Sequence, residues 1–384
     1  MAPLSGVTIL DLTHVLAGPY ASHTLQDLGA KVIKVERPGT GDDTRAFPPF
    51  VAGQSGYFAA LNAGKASITL DLKSAPDRAL MDRLLPRVDV VLENYRPGVM
   101  ERLGYGWETL HAKHPRLIYG AVSGFGHTGP EAGKPAYDMV VQARGGVMSI
   151  TGEEGGPPVR VGASIGDIVA GMFLAQGVLA ALYDREKTGL GAKIDVSMLD
   201  SQLAIQEHSI ALTAATGIPP GRTGARHPTI TPFSTYRASD GFVVIAAGND
   251  AMFATLCRTL ALPLVDDARF ATNAARCENN ALLKRLIEAV TLGQPVSHWI
   301  ETLESAGLPT GKVQNMAEVL ADPQLLARHM VLPVAENAQG TRFTAPGNPI
   351  KMSTLPEITG RAAAPTLDGD RQALLAWLDG ADAF

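Results

Sequence analysis

Val7-Thr8-Ile9-Leu10-Asp11-Leu12, a helix-like stretch from Pro19 to Leu28, and Lys31-Val32-Ile33-Lys34-Val35-Glu36 open the chain. Strand, helix and strand in so short a span form a βαβ unit, whose crossover makes the two strands parallel. The alternation continues outward. Ser67 to Leu72 reads as a third strand, and Ser74 and Pro76 open a helix to about Leu85, with proline in the first turn where its missing N–H is no loss. Val88 to Leu92, Leu117 to Val122 and Lys193 to Ser197 read as further strands, with a long helix over 168–185 before the last. Strands alternating with helices at this spacing predict an α/β domain on a parallel sheet.

The pattern changes at Gly217-Ile218-Pro219-Pro220-Gly221, which reads as a linker. Beyond it lie the strand Phe242 to Ala246 and mostly helical segments to about 330. The expected division is a large domain over 1–216 and a smaller one over 222–325. Thr341 to Ser353 reads as irregular and strand-like, and 370–379 as a closing helix.

Of 384 residues, 18% are charged and 46% hydrophobic, against the roughly 25% charged of an average soluble domain. Such a chain buries a large core, which excludes disorder, and its low charge points to an oligomer. A net charge of −5 without basic tracts argues against nucleic acid. Cys257 and Cys277 are the only cysteines and form no CxxC pair. This excludes a disulfide scaffold or thiolate metal cluster and favours a reducing compartment. Met1 to Gly6 shows no signal or transit pattern, so a cytoplasmic protein is expected. The longest apolar run, Ile168 to Tyr183, is broken by Gln176 and falls short of the ~18–20 residues a membrane span needs. It is expected to be a buried core helix.

Four places carry candidate chemistry. Gly124-Phe125-Gly126-His127-Thr128-Gly129 fits G-x-G-x-x-G after a strand, but Pro130 to Pro135 cannot open the helix that a dinucleotide site requires. Gly162-Ala163-Ser164-Ile165-Gly166 fits the nucleophile elbow of a serine hydrolase, which needs a histidine partner such as His208, His227, His298 or His329. Asp167 precedes the apolar run. It is either a helix N-cap or a carboxylate kept ionised by the helix N-terminus and able to attack an activated acyl group. Arg37, Lys73, Asn94 and Arg102 each follow or lie near the C-terminal end of a strand, the edge where open α/β sheets bind ligands. Together they suit a nucleotide phosphate. His111 and His114 lack a third ligand nearby, so no metal site is expected.

Leu10 to Pro19 (LDLTHVLAGP) with Asp27 to Glu36 (DLGAKVIKVE), and Glu93-Asn94-Tyr95-Arg96-Pro97-Gly98, resemble the opening and second motifs of class III coenzyme A transferases, the formyl-CoA transferase or CaiB-BaiF family. Tyr137-Asp138, Thr151-Gly152 through Gly162, and Asp167 resemble its catalytic segment. His227-Pro228, Asp240-Gly241 and Asp322-Pro323-Gln324 continue the likeness, so it covers nearly the whole chain. The resemblance implies a Rossmann-like large domain with a parallel sheet, a smaller α+β domain and an interlocked-ring homodimer, with 330–384 returning to the large domain. It implies that Asp167 is catalytic. It implies coenzyme A contacts at Leu16, Ala17, Arg37, Leu70, Asp71, Leu72, Lys73, Asn94, Tyr95, Arg102, Pro135, Ala136, Tyr137 and Asp138. Coenzyme A and acyl-CoA would be substrates, with no tightly bound cofactor and a small carboxylic acid as acceptor. Two segments depart from the family. Gly221 to Pro232 lacks the glycine-rich loop that covers the reaction centre of formyl-CoA transferase, and Pro365 to Asp370 departs from the usual C-terminal ending.

The expected activity is therefore transfer of coenzyme A through an aspartyl anhydride and an aspartyl-CoA thioester. A succinyl-CoA donor and a dicarboxylate acceptor are expected from likeness to succinyl-CoA:glutarate members. An α-methylacyl-CoA racemase is the alternative within the same fold. There Tyr137 occupies the place of a histidine base, and a phenol near pKa 10 is a poor base at neutral pH. A serine hydrolase using Ser164 and a non-catalytic acyl-CoA binding protein are the remaining readings.

Overall fold

The computed structural model describes residues 1–336 and 343–381, in two compact units. The first comprises Met1–Val147, Arg160–Ala215 and Pro323–Phe384. Its sheet strands are β1 (Thr8–Asp11), β2 (Lys31–Glu36), β3 (Ala66–Thr69), β4 (Val90–Glu93), β5 (Ile118–Ser123) and β6 (Lys193–Ser197). They pair in the order β3-β2-β1-β4-β5-β6, and every pair is parallel. The order reverses between β1 and β4, which opens a crevice beyond their C-terminal ends.

The helices used below are α1 (Ala17–Asp27), α2 (Gly56–Asn62), α3 (Ala75–Leu84), α4 (Asp138–Arg144), α5 (Ile165–Thr188) and α6 (Arg371–Leu378). Strand alternation divides the core in two. Ile9, Val32, Val90, Leu92 and Ile118 face Leu25 of α1 and Leu174 and Val178 of α5. Their neighbours Leu10, Ile33, Val91 and Tyr119 face Leu80 and Leu84 of α3 and Leu374 of α6. Both sheet faces are thus dry, which is why the strands read as nearly unbroken apolar runs.

The long helix is longer than the expected 168–185. At 24 residues it is long and apolar enough to cross a membrane by length and composition. Its buried Ala170, Gly171, Leu174, Ala175 and Val178 instead pack on α1, β5 and β6, as a core helix does. Gly171 permits this approach, since a Cβ there would lie 2.5 Å from the Ala17 carbonyl oxygen.

The free edge of β3 is covered by the chain leading into α6. Asp370 accepts from the Ser67 N–H (2.8 Å), and Asp368 from the Thr69 N–H (2.7 Å). Two carboxylates thus take donors that an exposed edge would offer to another chain. The C-terminal segment from Pro323 belongs to this unit. Residues 337–342, with Thr341 and Arg342 of the stretch read as strand-like, and 382–384 lie outside the described residues.

The second unit comprises Met148–Val159 and Thr216–Asp322. Its first segment is one that the expected boundaries had kept within 1–216. Strands β7 (Phe233–Arg237), β8 (Phe242–Ala246) and β9 (Thr310–Lys312) form an antiparallel sheet in the order β9-β8-β7. Helices Asp250–Thr259, Asn280–Thr291 and Val296–Ser305 bury Phe253, Leu256, Leu283, Ile287, Trp299 and Leu303 against Tyr236, Val243 and Ile245.

Candidate active site

The crevice between β1 and β4 is walled by the loops that leave them. Asn94 ties the loops together: its Oδ1 accepts from the His14 N–H (2.9 Å), and its Nδ2 donates to the His14 carbonyl (2.7 Å). Val15 sits at φ 65°, where a β-branched side chain is strained. Its N–H donates to Asp42 Oδ1 (3.2 Å). Strain held in place by hydrogen bonds of this kind is characteristic of functional loops.

Beneath the loop lies a buried ionic network. Lys34 Nζ is 2.9 Å from Asp42 Oδ2 and donates to the Thr13 carbonyl at 2.9 Å. Lys65 Nζ donates to Asp11 (3.1 Å), Ser22 Oγ (2.8 Å) and Asn62 Oδ1 (2.9 Å). Burial alone would raise the Asp11 carboxyl, but Lys65, Lys34 and the Ser22 and Thr13 hydroxyls override it and hold it well below the usual range. Burial pushes Lys65 down to about 8 despite Asp11. These charges tolerate burial because each is paired and hydrogen-bonded.

Two adjoining grooves open above. One, of about 290 Å³, is lined by His14, Asn94, Tyr95, Gly124, Pro135, Ala136 and Tyr137 among others. The second, of about 270 Å³, is lined by His14, Arg37, Asp42, Asp43 and Tyr95 among others. Gly124 is needed for the first, since a Cβ there would stand 2.3 Å from the Ala136 Cβ. His14 and Tyr95 wall both grooves.

Six of the fourteen expected contact residues, Arg37, Asn94, Tyr95, Pro135, Ala136 and Tyr137, line these two grooves. Arg37 reaches from the end of β2, paired with Asp43 and bonded to the Gly41 carbonyl. Leu16 and Ala17 are buried at the entrance to α1. Leu70 to Lys73 lies past the end of β3, where the sequence had extended the strand. Leu70 and Leu72 are buried in the core, whereas Asp71 and Lys73 are exposed. Arg102 is exposed on the short helix Val99–Leu103. The lining of the two grooves includes neither Arg102 nor Leu70 to Lys73.

Asp167 is the third residue of α5, and Ser164 holds the N-cap position without a side-chain cap bond. The N-cap reading of Asp167 therefore gives way. Among the described residues its carboxylate receives no hydrogen bond. Burial, then the charge of Asp138, push it up to about 7. Desolvation outweighs the helix N-terminus here, so the carboxyl is a weaker acid than that position alone would make it. The Tyr57 phenol of α2 is raised by burial and next by the charge of Asp167. Asp138, one residue beyond Tyr137, turns its carboxylate to the Gly166 N–H (2.8 Å) and to Gln142. Tyr137 itself is 76% exposed at the groove.

The other candidates fare differently. Ser164 Oγ has no histidine partner among the described residues, and no strand leads into its turn. The 124–129 loop has Gly126 at φ 79° and Gly129 at φ 87°, and turns rather than a helix follow it. His111 stacks on Trp107 at 4.4 Å. Among the described residues no His, Cys, Asp and Glu group could hold a metal. The sequence reading missed His14, Val15, Asp42 and Tyr57. His14 lay inside the opening motif and could have been singled out. The positive φ of Val15 leaves no trace in residue type.

The CoA-transferase family III model matches residues 4–371. The chain is 46% identical to the acetyl-CoA:oxalate CoA-transferase of Acetobacter aceti, over 97% of this chain and 95% of that protein. It is 40% identical to the succinyl-CoA:mesaconate CoA-transferase of Haloarcula hispanica, over 98% and 96%. The crystal structure of a CAIB/BAIF family protein from Brucella suis matches with a TM-score of 0.88 at 38% identity, covering 98% of this chain and 100% of that one. With its doubly wound sheet and its crevice at the switch point, this chain belongs to CoA-transferase family III and is an enzyme that transfers coenzyme A between an acyl-CoA and a carboxylate.

Proposed function

We propose that Asp167 is the nucleophile and that the two grooves hold the acyl-CoA, with the nucleotide end toward Arg37 and Tyr95 and the thioester end toward Tyr137. The exposed Arg102 and Lys73 would lend charge to the phosphates from outside the grooves. The observation that carries this reading is the Asp167 carboxylate: it is partly buried, it accepts no hydrogen bond among the described residues, and its proton affinity is raised to about 7. A basic, desolvated carboxylate is a strong nucleophile once ionised.

In the first step an Asp167 oxygen attacks the thioester carbonyl, and the C–S bond breaks to leave a mixed anhydride and CoA thiolate. The thiolate then attacks the aspartyl carbonyl, releasing the donor acid and forming the aspartyl-CoA thioester. The acceptor carboxylate attacks that thioester and frees the thiolate, which takes the acyl group from the new anhydride and restores Asp167. Every intermediate is an activated acyl species of similar energy, and each must be shielded from water.

For substrates we propose a succinyl-CoA donor and a dicarboxylate acceptor, in the cytoplasm. The two relatives above support the acceptor class, since oxalate and mesaconate are both dicarboxylates; by name, one uses acetyl-CoA and the other succinyl-CoA. We also propose the interlocked homodimer. The apolar helix Glu207–Thr216 buries none of its residues within this chain, and Ile210 is 45% exposed, as expected of a face that a second copy covers.

A panel of acetyl-, succinyl- and formyl-CoA donors against oxalate, glutarate and mesaconate, read by mass spectrometry, tests the substrate assignment. Donor acyl-CoA with hydroxylamine should leave a hydroxamate on Asp167 in a peptide map. Asp167→Ala should abolish transfer and Ser164→Ala should retain it. The reverse pattern would remove Asp167 from the mechanism.

A further inference from the structure

Asp138 follows Tyr137 at the groove, yet its carboxylate is engaged elsewhere. Oδ1 accepts from the Gly166 N–H (2.8 Å) and from Gln142 Nε2 (3.0 Å), and Oδ2 accepts from the same Nε2 (2.8 Å). Gln142 is fully buried, and its Oε1 accepts from the Val161 N–H (2.9 Å). Asp138 and Gln142 together thus grip both ends of the turn 161–166 that delivers Asp167. The fit is tight. A Cβ on Gly166 would lie 2.9 Å from Asp138 Oδ1 and 2.6 Å from Val141 Cγ2, so a side chain there would push the turn off its brace.

The electrostatics are unusual for a helix start. A first-turn amide normally contributes positive potential, but here the Gly166 N–H is committed to a second carboxylate beside the nucleophile. We propose that Asp138 is a positioning residue for Asp167, bracing the turn that carries it and setting a second carboxylate beside it, and that Asp138 does not itself contact coenzyme A. This rests on the reading of Asp167 as nucleophile.

The groups involved come from several elements. Asp138 and its partner Gln142 belong to α4, and Tyr57 to α2. Arg160 Nη2 lies 3.7 Å from Asp138 Oδ2. Asp42 acts on the same Tyr57 phenol as Asp167 and Asp138 do. The raised proton affinity of Asp167 has burial as its first cause and Asp138 as its second. The chemistry follows from charge. When Asp167 forms its C–O bond to the thioester carbonyl and the thiolate departs, the aspartyl group becomes a neutral anhydride. Repulsion between the two carboxylates is present before acylation and gone after it, so the neighbour favours the step.

The test is the single-turnover rate of acyl-enzyme formation from donor acyl-CoA between pH 5 and 8.5, with KM measured alongside. Asp138→Asn keeps an oxygen for the Gly166 N–H and removes the charge. Its acid limb should move down by about one pH unit, the effect of losing a like charge at close range. Its plateau should fall, and KM for the acyl-CoA should stay unchanged. Gln142→Leu keeps the charge and removes half of the brace, so the plateau should fall with the limb in place. An unmoved limb in a folded Asp138→Asn would overturn the proposal. So would a raised KM with an unchanged plateau, the signature of a cofactor contact. If Asp138→Asn does not fold, an unchanged plateau in Gln142→Leu serves as the overturning result. Activity surviving in Asp167→Ala would instead sink the nucleophile reading, so the two failures are distinguishable.

Discussion

Replacing Asp167, the proposed nucleophile, should stabilise the protein, and only above a defined pH. Burial and Asp138 raise the Asp167 carboxyl from 3.8 to about 7. Between those values the folded chain holds a proton that the unfolded chain has released, so stability falls as pH rises through that window. Above pH 7 the deficit is complete and constant; below 3.8 it vanishes. At about 1.4 kcal/mol per pH unit, the ceiling is on the order of 4 kcal/mol. Asp167→Asn presents an uncharged group of the same shape at every pH and escapes this penalty. It should be inactive, match the wild type near pH 4, and exceed it increasingly up to pH 7. Thermal midpoints at pH 4.5, 6 and 8, at one protein concentration, measure this, with about 2 °C or more expected per kcal/mol in a large domain. A difference between variant and wild type that does not change with pH would refute the argument, because burial would then impose no charge penalty.

Two further outcomes follow from the crevice. Arg37→Ala should raise KM for donor and product CoA esters by a shared factor of about ten, the value of one charged hydrogen bond to phosphate, and should flatten the salt dependence of KM; unchanged KM values would place the phosphates elsewhere. Asn94→Asp should be more damaging to urea stability than Asn94→Ala, because it turns a donor to the His14 carbonyl into a repelling oxygen; equal midpoints would show that the loop bridge carries no energy.

Several features were legible along the chain because they are local. KVIKVE and FVVIA became strands over the residues expected, Lys31–Glu36 and Phe242–Ala246. Strand and helix alternate at βαβ spacing, and an aspartate precedes the long apolar helix. Motifs around Asn94 and Asp167 were enough to resemble the family, since they are contiguous runs.

What the tertiary structure alone decided was non-local. Strand order, and with it the crevice between β1 and β4, depends on which crossovers pack on which face. Lys34, within a strand read as ordinary, is fully buried because Asp42 and Thr13 come from two other segments to receive it. Asp138 was expected to contact coenzyme A only through the resemblance of the segment Pro135 to Asp138, and only the fold sets its carboxylate against the Gly166 N–H, 28 residues on. The ionisation of Asp167 went the same way. From sequence, a helix N-terminus predicts a stable negative charge. In the fold, desolvation and a second carboxylate oppose that, because a charge responds to everything packed within a few ångströms and little of that is adjacent in the chain.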